Sequence, residues 1–224
     1  MKKLIMEVDL ENPEFFKCEL INDDVRTIKN ISLNQLVHFL GDCTDTSIMS
    51  KYTVPDNCLG ISFSGDYVYC TVLVKKRVIP AKYAKADIEN NYLLPYPNLI
   101  FTFKINEYKS GLEKSWCFAV KDDVVTENTE IFEFPFSNVS KGKGVICYGG
   151  NNTLYNGDLR QSIEEYLETF FIAPYNGDYY TMDRTAFIEK SLPELMNKLN
   201  GKKEFPLDKL VSTGKSFKDI TFDN

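Results

Sequence analysis

The stretch from residue 133 to residue 157 lacks the regular hydrophobic patterning of the rest of the chain, and it restricts the fold more than any other feature. Proline and glycine punctuate it at Pro135, Gly142, Gly144, Gly149 and Gly150. A loop of this length inside a compact domain is uncommon and is often functional. Cys147 lies within it. The sequence therefore predicts a long irregular segment that displays a cysteine between a sheet and the helices that follow.

Strand patterns dominate the chain before this segment. Three strands are predicted at residues 3–8, 14–21 and 25–30, and four more at residues 59–63, 67–74, 99–105 and 115–120. The turn Ser64-Gly65-Asp66 joins the first two of the later group, which indicates a hairpin. Trp116, Phe118 and Val120 alternate as on a half-buried strand. The later group is predicted to form a β-meander.

One helix is predicted between the two groups of strands. Ser32 is a suitable N-cap, Gln35 completes a capping box, and Gly41 ends the helix. Further helices are predicted after the irregular segment. They begin after Asp158, near Asp183 and after Ser191.

This order of elements predicts an α+β fold with an antiparallel meander rather than a doubly wound parallel sheet. No internal repeat or linker is evident, so a single domain over residues 1–224 is expected. It would comprise an N-terminal β-hairpin extension at 1–31, a core at 32–182 and a C-terminal helical extension at 183–224.

Charge and motif content argue against several functions. The net charge is -6, whereas nonspecific nucleic-acid binding needs a basic face, so no nucleic-acid partner is expected. The run from Ser212 to Ser216 matches only the end of a phosphate-binding loop. The glycine that such a loop needs five residues before Gly214 is replaced by Lys209.

The cysteines and the N-terminus indicate a reducing, cytosolic location. None of the six cysteines belongs to a C-x-x-C pair, so no metal site is expected. The apolar run after Lys3 is interrupted by Glu7 and Asp9, which argues against a signal peptide. No apolar stretch approaches the length of a membrane span. We therefore expect a cytoplasmic protein with free thiols and no membrane partner.

The irregular segment resembles the active-site region of the ubiquitin-conjugating (UBC) family. That family carries His-Pro-Asn, then Gly, one residue, an aliphatic residue and Cys. The corresponding residues here are Phe136-Ser137-Asn138 and Gly144-Val145-Ile146-Cys147. The Asn and the Gly-x-Ile-Cys are kept, and Phe and Ser replace His and Pro. The predicted order of helix, meander, irregular segment and helices is also that of the UBC fold.

A closer resemblance is to the PRTRC system protein B family, a bacterial branch of the UBC superfamily. It covers roughly residues 14–180, and each matching piece is short. The pieces are residues 54–57, residues 96–101, the set Pro135, Asn138, Val139, Gly144, Cys147 and Gly149, and the pair Phe170-Phe171. That family carries a histidine near the end of the Phe-Phe helix, whereas residues 172–176 here contain none.

The resemblance implies a ubiquitin-conjugating-like protein of a bacterial modification system. Cys147 would accept the modifier as a thioester, and the Asn138 amide would stabilise the oxyanion. Lys141 or Lys143 would favour the thiolate. The implied partners are a ubiquitin-like modifier of β-grasp fold, a ThiF-type activating enzyme and a JAB-type metalloprotease, encoded together on mobile elements. This chemistry needs no bound cofactor.

Two alternatives stay open at this stage. The missing histidine and the altered His-Pro pair favour a catalytically inactive UBC-fold adaptor that binds partner proteins, with Asn138 serving only as a turn residue. A Cys–His hydrolase would instead require His38, the one histidine of the chain, to lie within hydrogen-bond reach of Cys147.

Overall fold

A computed structural model describes residues 2–8, 15–22, 25–32, 54–106, 111–149 and 154–220. The chain forms two compact units, Met1–Tyr52 and Thr53–Asn224. The first unit contains a three-stranded antiparallel sheet of β1 (Lys2–Val8), β2 (Phe15–Asn22) and β3 (Val25–Ser32). The three predicted strands are thereby confirmed. The helix predicted after Ser32 lies outside the described residues.

The second unit is built on a six-stranded sheet in which every pairing is antiparallel. Its strand order is β11-β10-β9-β8-β5-β4. The strands are β4 (Cys58–Ser64), β5 (Tyr67–Val74), β8 (Asn98–Asn106), β9 (Gly111–Val120), β10 (Glu130–Phe132) and β11 (Ser212–Ser216). The four strands of the predicted meander are β4, β5, β8 and β9. The α+β class with an antiparallel sheet is confirmed.

The middle of this sheet is buried on both faces. Seven of the eight residues of β5 are buried, and β8 is buried at every position except Lys104. On one side the Phe101 and Phe103 rings pack against helix α1 (Leu159–Ile172), with centroid distances of 5.1 Å to Phe170 and 5.7 Å to Tyr166. On the other side Ile100 and Trp116 belong to a second apolar cluster. The sheet therefore supports structure on both of its faces.

A β-hairpin between β5 and β8 was not predicted from the sequence. It consists of β6 (Arg77–Lys85) and β7 (Ile88–Tyr96), which pair with each other as a separate two-stranded sheet. Pro80 and Pro95 lie within it. Proline within a sheet is largely confined to edge strands because it lacks an N–H donor. The two prolines therefore argue against strands in the sequence, and the hairpin was not predicted. The aromatic residues Tyr92 and Tyr96 belong to β7.

Helix α1 begins as predicted. Asp158 is its N-cap, and its Oδ1 accepts a hydrogen bond from the Gln161 N–H at 3.0 Å. Helix α2 (Leu192–Leu199) begins after the N-cap Ser191, with Pro193 in its first turn, and it ends at Asn200. The Asn200 Oδ1 accepts the Leu93 N–H at 2.8 Å, which ties the end of α2 to β7.

The C-terminal region is less helical than predicted. The helix expected near Asp183 is a single 3-10 turn, Met182–Arg184, and short 3-10 turns also occur at Leu207–Lys209 and Phe217–Asp219. The 212–216 run is strand β11, which pairs with β10 at the edge of the main sheet. Within residues 183–220 the described elements are thus helix α2, 3-10 turns and strand β11, which extends the main sheet. The helical extension expected at 183–224 stays a prediction. The expected boundaries at 31/32 and 182/183 stay predictions.

Candidate functional site

The residues between β10 and α1 form an ordered but irregular stretch, and we call residues 133–149 the cysteine segment. A short antiparallel ladder joins Val139 to Ile146, and the Ser140 N–H donates to the Val145 carbonyl at 2.8 Å. The second arm of this ladder lies against β9, because the Ile146 N–H donates to the Ser115 carbonyl at 2.9 Å. The segment is therefore fastened to the main sheet by backbone hydrogen bonds.

The turn of this ladder requires glycine at one position. Gly144 has φ +67°, and a Cβ there would lie within 2.7 Å of three atoms at the outer end of the Phe118 ring. Its carbonyl accepts the Cys117 N–H at 2.8 Å, so the backbone runs close to β9. The absence of a side chain at Gly144 lets the cysteine segment approach the sheet this closely.

Cys147 follows the ladder and is solvent-exposed. Its N–H donates to the Asn138 carbonyl at 2.8 Å, which brings the two residues proposed from sequence together. The thiols of Cys70 and Cys117 are buried in strands, and burial raises the pKa of both. Cys58 is partly exposed on the edge strand β4. Among the four cysteines with described side chains, Cys147 is the most accessible.

Asn138 combines an unusual backbone conformation with a buried side chain. Its φ is +67°, in the left-handed region that asparagine tolerates better than most residues. The side-chain Nδ2 donates to the Pro174 carbonyl at 3.2 Å, and Oδ1 accepts from the Ser137 Oγ at 3.3 Å. One N–H of the amide is thus occupied in bridging to the chain after α1. The second N–H is available to another acceptor.

The residues that would correspond to His-Pro of the UBC family have a core role here. Phe136 and Ser137 are fully buried. The Phe136 ring packs against those of Tyr96 at 5.0 Å and Tyr175 at 5.7 Å between centroids. The Phe136 ring therefore anchors the start of the segment in the hydrophobic core.

Cys147 and Asn138 line a surface pocket of about 410 Å³. Three parts of the second unit form it: the cysteine segment, the chain after α1 and the β6–β7 hairpin. The lining residues are Ala84, Asn138, Cys147, Tyr148, Gly149, Ala173, Pro174, Asn176, Asp178 and Tyr179. The pocket therefore offers a thiol, two amide side chains and one carboxylate to whatever occupies it.

The chain after α1 forms another wall of the pocket, and the family resemblance would place a histidine at its start, in residues 172–176. Asn176 and Asp178 line the pocket from this wall, and the Asn176 Oδ1 accepts the Asp178 N–H at 2.9 Å. The Asp178 carboxylate pairs with Lys85 at 3.7 Å. Backbone hydrogen bonds of 2.8 Å from Tyr175 to Lys82 and from Ala84 to Tyr175 fix this wall to β6. The sequence prediction included neither residue, because it considered only a histidine and only residues 172–176.

The two lysines proposed to favour a thiolate occupy the turn of the ladder. Lys141 forms an ion pair with Asp183, and this contact holds the pKa of the Asp183 carboxyl below its usual range. The Lys141 ammonium is therefore bound to Asp183, and neither Lys141 nor Lys143 lines the pocket. His38 lies outside the described residues, so the Cys–His alternative stays untested.

A family model decides what kind of protein this is. The model of prokaryotic E2 family D matches residues 32–213, which is most of the chain. The chain belongs to this family. The matched range includes the whole cysteine segment, the pocket and β11 up to Thr213. No curated protein matches the chain, and no solved structure does. Membership of an E2-like family indicates a ubiquitin-conjugating-like role, which in general implies interaction with a modifier and an activating enzyme.

No helix in the described part of the chain has both the length and the apolar character needed to cross a membrane. The same residues contain no group of three or more His, Cys, Asp or Glu side chains that could hold a metal ion.

Proposed function

We propose that this prokaryotic E2-like protein accepts a ubiquitin-like modifier as a thioester on Cys147. The observation that supports this best is the position of that thiol. It is exposed, it lines a pocket beside an asparagine, and it lies on a segment held against the sheet. Cys70 and Cys117, in contrast, are buried.

The proposed step exchanges one thioester for another. The Cys147 thiol loses its proton, and the thiolate attacks the carbonyl carbon at the modifier terminus, which is linked to a cysteine of the ThiF-type activating enzyme. A new C–S bond forms to Cys147, the old C–S bond breaks, and the enzyme's thiolate leaves. The oxyanion that forms between these events needs a donor, and the second N–H of the Asn138 amide is the candidate.

This proposal is tested by incubating the chain with the modifier, the ThiF-type activating enzyme and ATP. We expect an adduct that thiol reductants cleave. In Cys147→Ser the adduct should become a reductant-resistant oxygen ester, whereas Cys58→Ser, a change at another accessible thiol, should leave the adduct as in the wild type. A complete lack of adduct with authentic partners would refute the thioester role.

The second candidate is an adaptor that uses the fold without the thiol. Two observations favour it: residues 172–176 contain no histidine, and the Asn138 amide is bonded to Pro174 as an ordinary loop contact. An adaptor predicts that Cys147→Ala binds the modifier and the activating enzyme with wild-type affinity and keeps full biological activity. Loss of activity with unchanged binding would instead support the thioester role.

A further inference from the structure

The most unusual buried group in the described residues is Arg184, which lies beneath the cysteine segment. It is fully buried in the 3-10 turn Met182–Arg184. Its Nη1 donates to the carbonyls of Phe136 at 2.5 Å and Phe134 at 3.3 Å. Its Nε and Nη2 have no hydrogen-bond partner among the described residues. A buried guanidinium is costly, and most such groups are fully paired.

Glu133 supplies the opposite charge and contacts the same segment from another side. Its side chain is buried, and both carboxylate oxygens accept the Gly142 N–H, at 3.0 and 3.1 Å. Burial lowers the pKa of Arg184, while the negative charge of Glu133 acts in the opposite direction and favours the guanidinium cation. The two side chains are thus electrostatically linked and are both bonded to backbone groups of the cysteine segment.

These contacts lie on either side of Asn138 along the chain, and the second precedes Cys147 by five residues. Arg184 fixes the carbonyl of Phe136, two residues before Asn138, and Glu133 fixes the N–H of Gly142, within the turn that leads to Cys147. Neither side chain lines the pocket. The carbonyl of Asn138 is itself bonded to the Cys147 N–H, so a shift at either fixed point would move the thiol relative to the amide.

We propose that Arg184 and Glu133 are positioning residues that hold Cys147 and Asn138 in the geometry required for thioester transfer. The inference rests on the proposed function, and it assigns a functional role to a turn that the sequence placed outside the UBC-like core. The opposing interpretation is that these two buried charged groups only stabilise the fold. Removing one of two buried opposite charges is strongly destabilising in many proteins.

Matched substitutions separate these interpretations. Arg184→Lys keeps the charge but replaces the planar guanidinium, whose Nη1 donates to both carbonyls, with a compact ammonium on a flexible stem. Glu133→Gln keeps the shape but removes the charge. The control is Arg160→Lys. The Arg160 guanidinium also donates to a carbonyl, that of Val54 at 2.9 and 3.0 Å. It lies at the opposite end of α1, roughly 18 Å along the helix axis from the pocket end.

The measurements are made well below the unfolding temperature of each variant. With saturating charged activating enzyme, we expect the single-turnover rate of transfer to Cys147 to fall about tenfold or more in Arg184→Lys and Glu133→Gln, because reaction rates depend steeply on small displacements of positioned groups. The KM for the charged activating enzyme should stay at its wild-type value. Backbone amide exchange at Gly142 and Cys147 should accelerate, and the pH profile of Cys147 alkylation should change. Arg160→Lys should match the wild type in every readout.

Two results would overturn the inference. One is a pair of variants with lower unfolding temperatures but wild-type transfer rates and wild-type alkylation profiles. The other is an equal loss in Arg160→Lys. If the wild type forms no thioester at all, the proposed function fails separately. Alkylation and amide exchange then still decide whether Arg184 and Glu133 position the thiol.

Discussion

Cys117 and Cys147 lie on neighbouring stretches of backbone but in opposite environments. Cys117 is part of the regular strand β9, its thiol is fully buried, and its N–H donates to Gly144 of the cysteine segment at 2.8 Å. Cys147, three residues beyond that contact, is exposed in a pocket. In the regular strand the cysteine side chain is buried. In the irregular segment, which contains positive φ angles at Asn138 and Gly144, the cysteine side chain is exposed.

The largest expected difference between the two thiols is in chemical accessibility. Iodoacetamide should label Cys147 rapidly in the folded protein, because its side chain is exposed. Cys117 should react more slowly by a factor of about 10³ or more, because it must await an opening that costs several kcal/mol. Peptide mass spectrometry after timed labelling measures both rates, and Cys147→Ser should remove the fast site. Similar rates at the two residues would contradict the comparison.

A second prediction separates two roles of Asn138, that of its backbone conformation and that of its side-chain amide. Asn138→Gly retains easy access to φ +67°, while Asn138→Ala adds a left-handed strain of about 1 kcal/mol. Both variants lose the amide, so under the thioester proposal both should slow transfer by about 10²–10³. The free energy of unfolding should be lower in the alanine variant than in the glycine variant.

Transfer assays and denaturant unfolding on the same pair of variants make this check. Asn138→Gly with a wild-type transfer rate would show that the amide serves only as the bridge to Pro174. That result would favour the adaptor function over catalysis.

A third prediction concerns the close approach of the segment to β9. Gly144→Ala must accommodate a Cβ against Phe118 as well as a positive φ, and we expect it to lose about 3 kcal/mol of unfolding free energy or more. Gly142→Ala is the matched control. Its φ is +76°, but nothing lies within 4 Å of the added Cβ. It should lose only about 1 kcal/mol. Equal losses in urea unfolding would show that the contact with Phe118 is unimportant.

Sequence reasoning found the parts of this comparison that depend on local pattern. The alternation of Trp116, Phe118 and Val120 predicted β9, and the Asp158 cap predicted the start of α1. The glycine-punctuated segment and its cysteine were recognised because glycine and proline interrupt regular structure. These signals lie within short windows of sequence, where residue type and backbone conformation are directly linked.

The missed parts depend on tertiary context. The strand β11 has the sequence Ser-Thr-Gly-Lys-Ser, and none of its residues is buried, so it carries no alternating apolar signal. Its strand conformation comes from antiparallel pairing with the edge of β10 that faces away from β9. In the same way, Arg184 looks like an ordinary surface arginine in sequence. Its position under Phe134 and Phe136 becomes evident only when the chain folds back on the cysteine segment.

The smallest expected effect concerns the buried thiol of Cys117 and is seen in how the free energy of unfolding depends on pH. Burial raises the pKa of the Cys117 thiol in the folded protein above its unfolded value of about 8.5. The unfolded state therefore loses the proton first. The free energy of unfolding should be independent of this group below pH 8.5 and should fall as the pH rises above that value.

Between pH 8.5 and 9.5 this single thiol should cost the folded state about 1 kcal/mol. Cys117→Ala should remove that part of the loss, although its stability at neutral pH will also change because a buried sulfur is lost. Cys147→Ala is the control, since it removes an exposed thiol instead of the buried one. Denaturant unfolding of the three proteins at pH 7.5, 8.5 and 9.5 gives the slope of the unfolding free energy against pH. The difference in slope between the proteins is the test, not the absolute stability. If Cys147→Ala flattened the curve and Cys117→Ala did not, the assignment of buried and exposed thiols would be reversed.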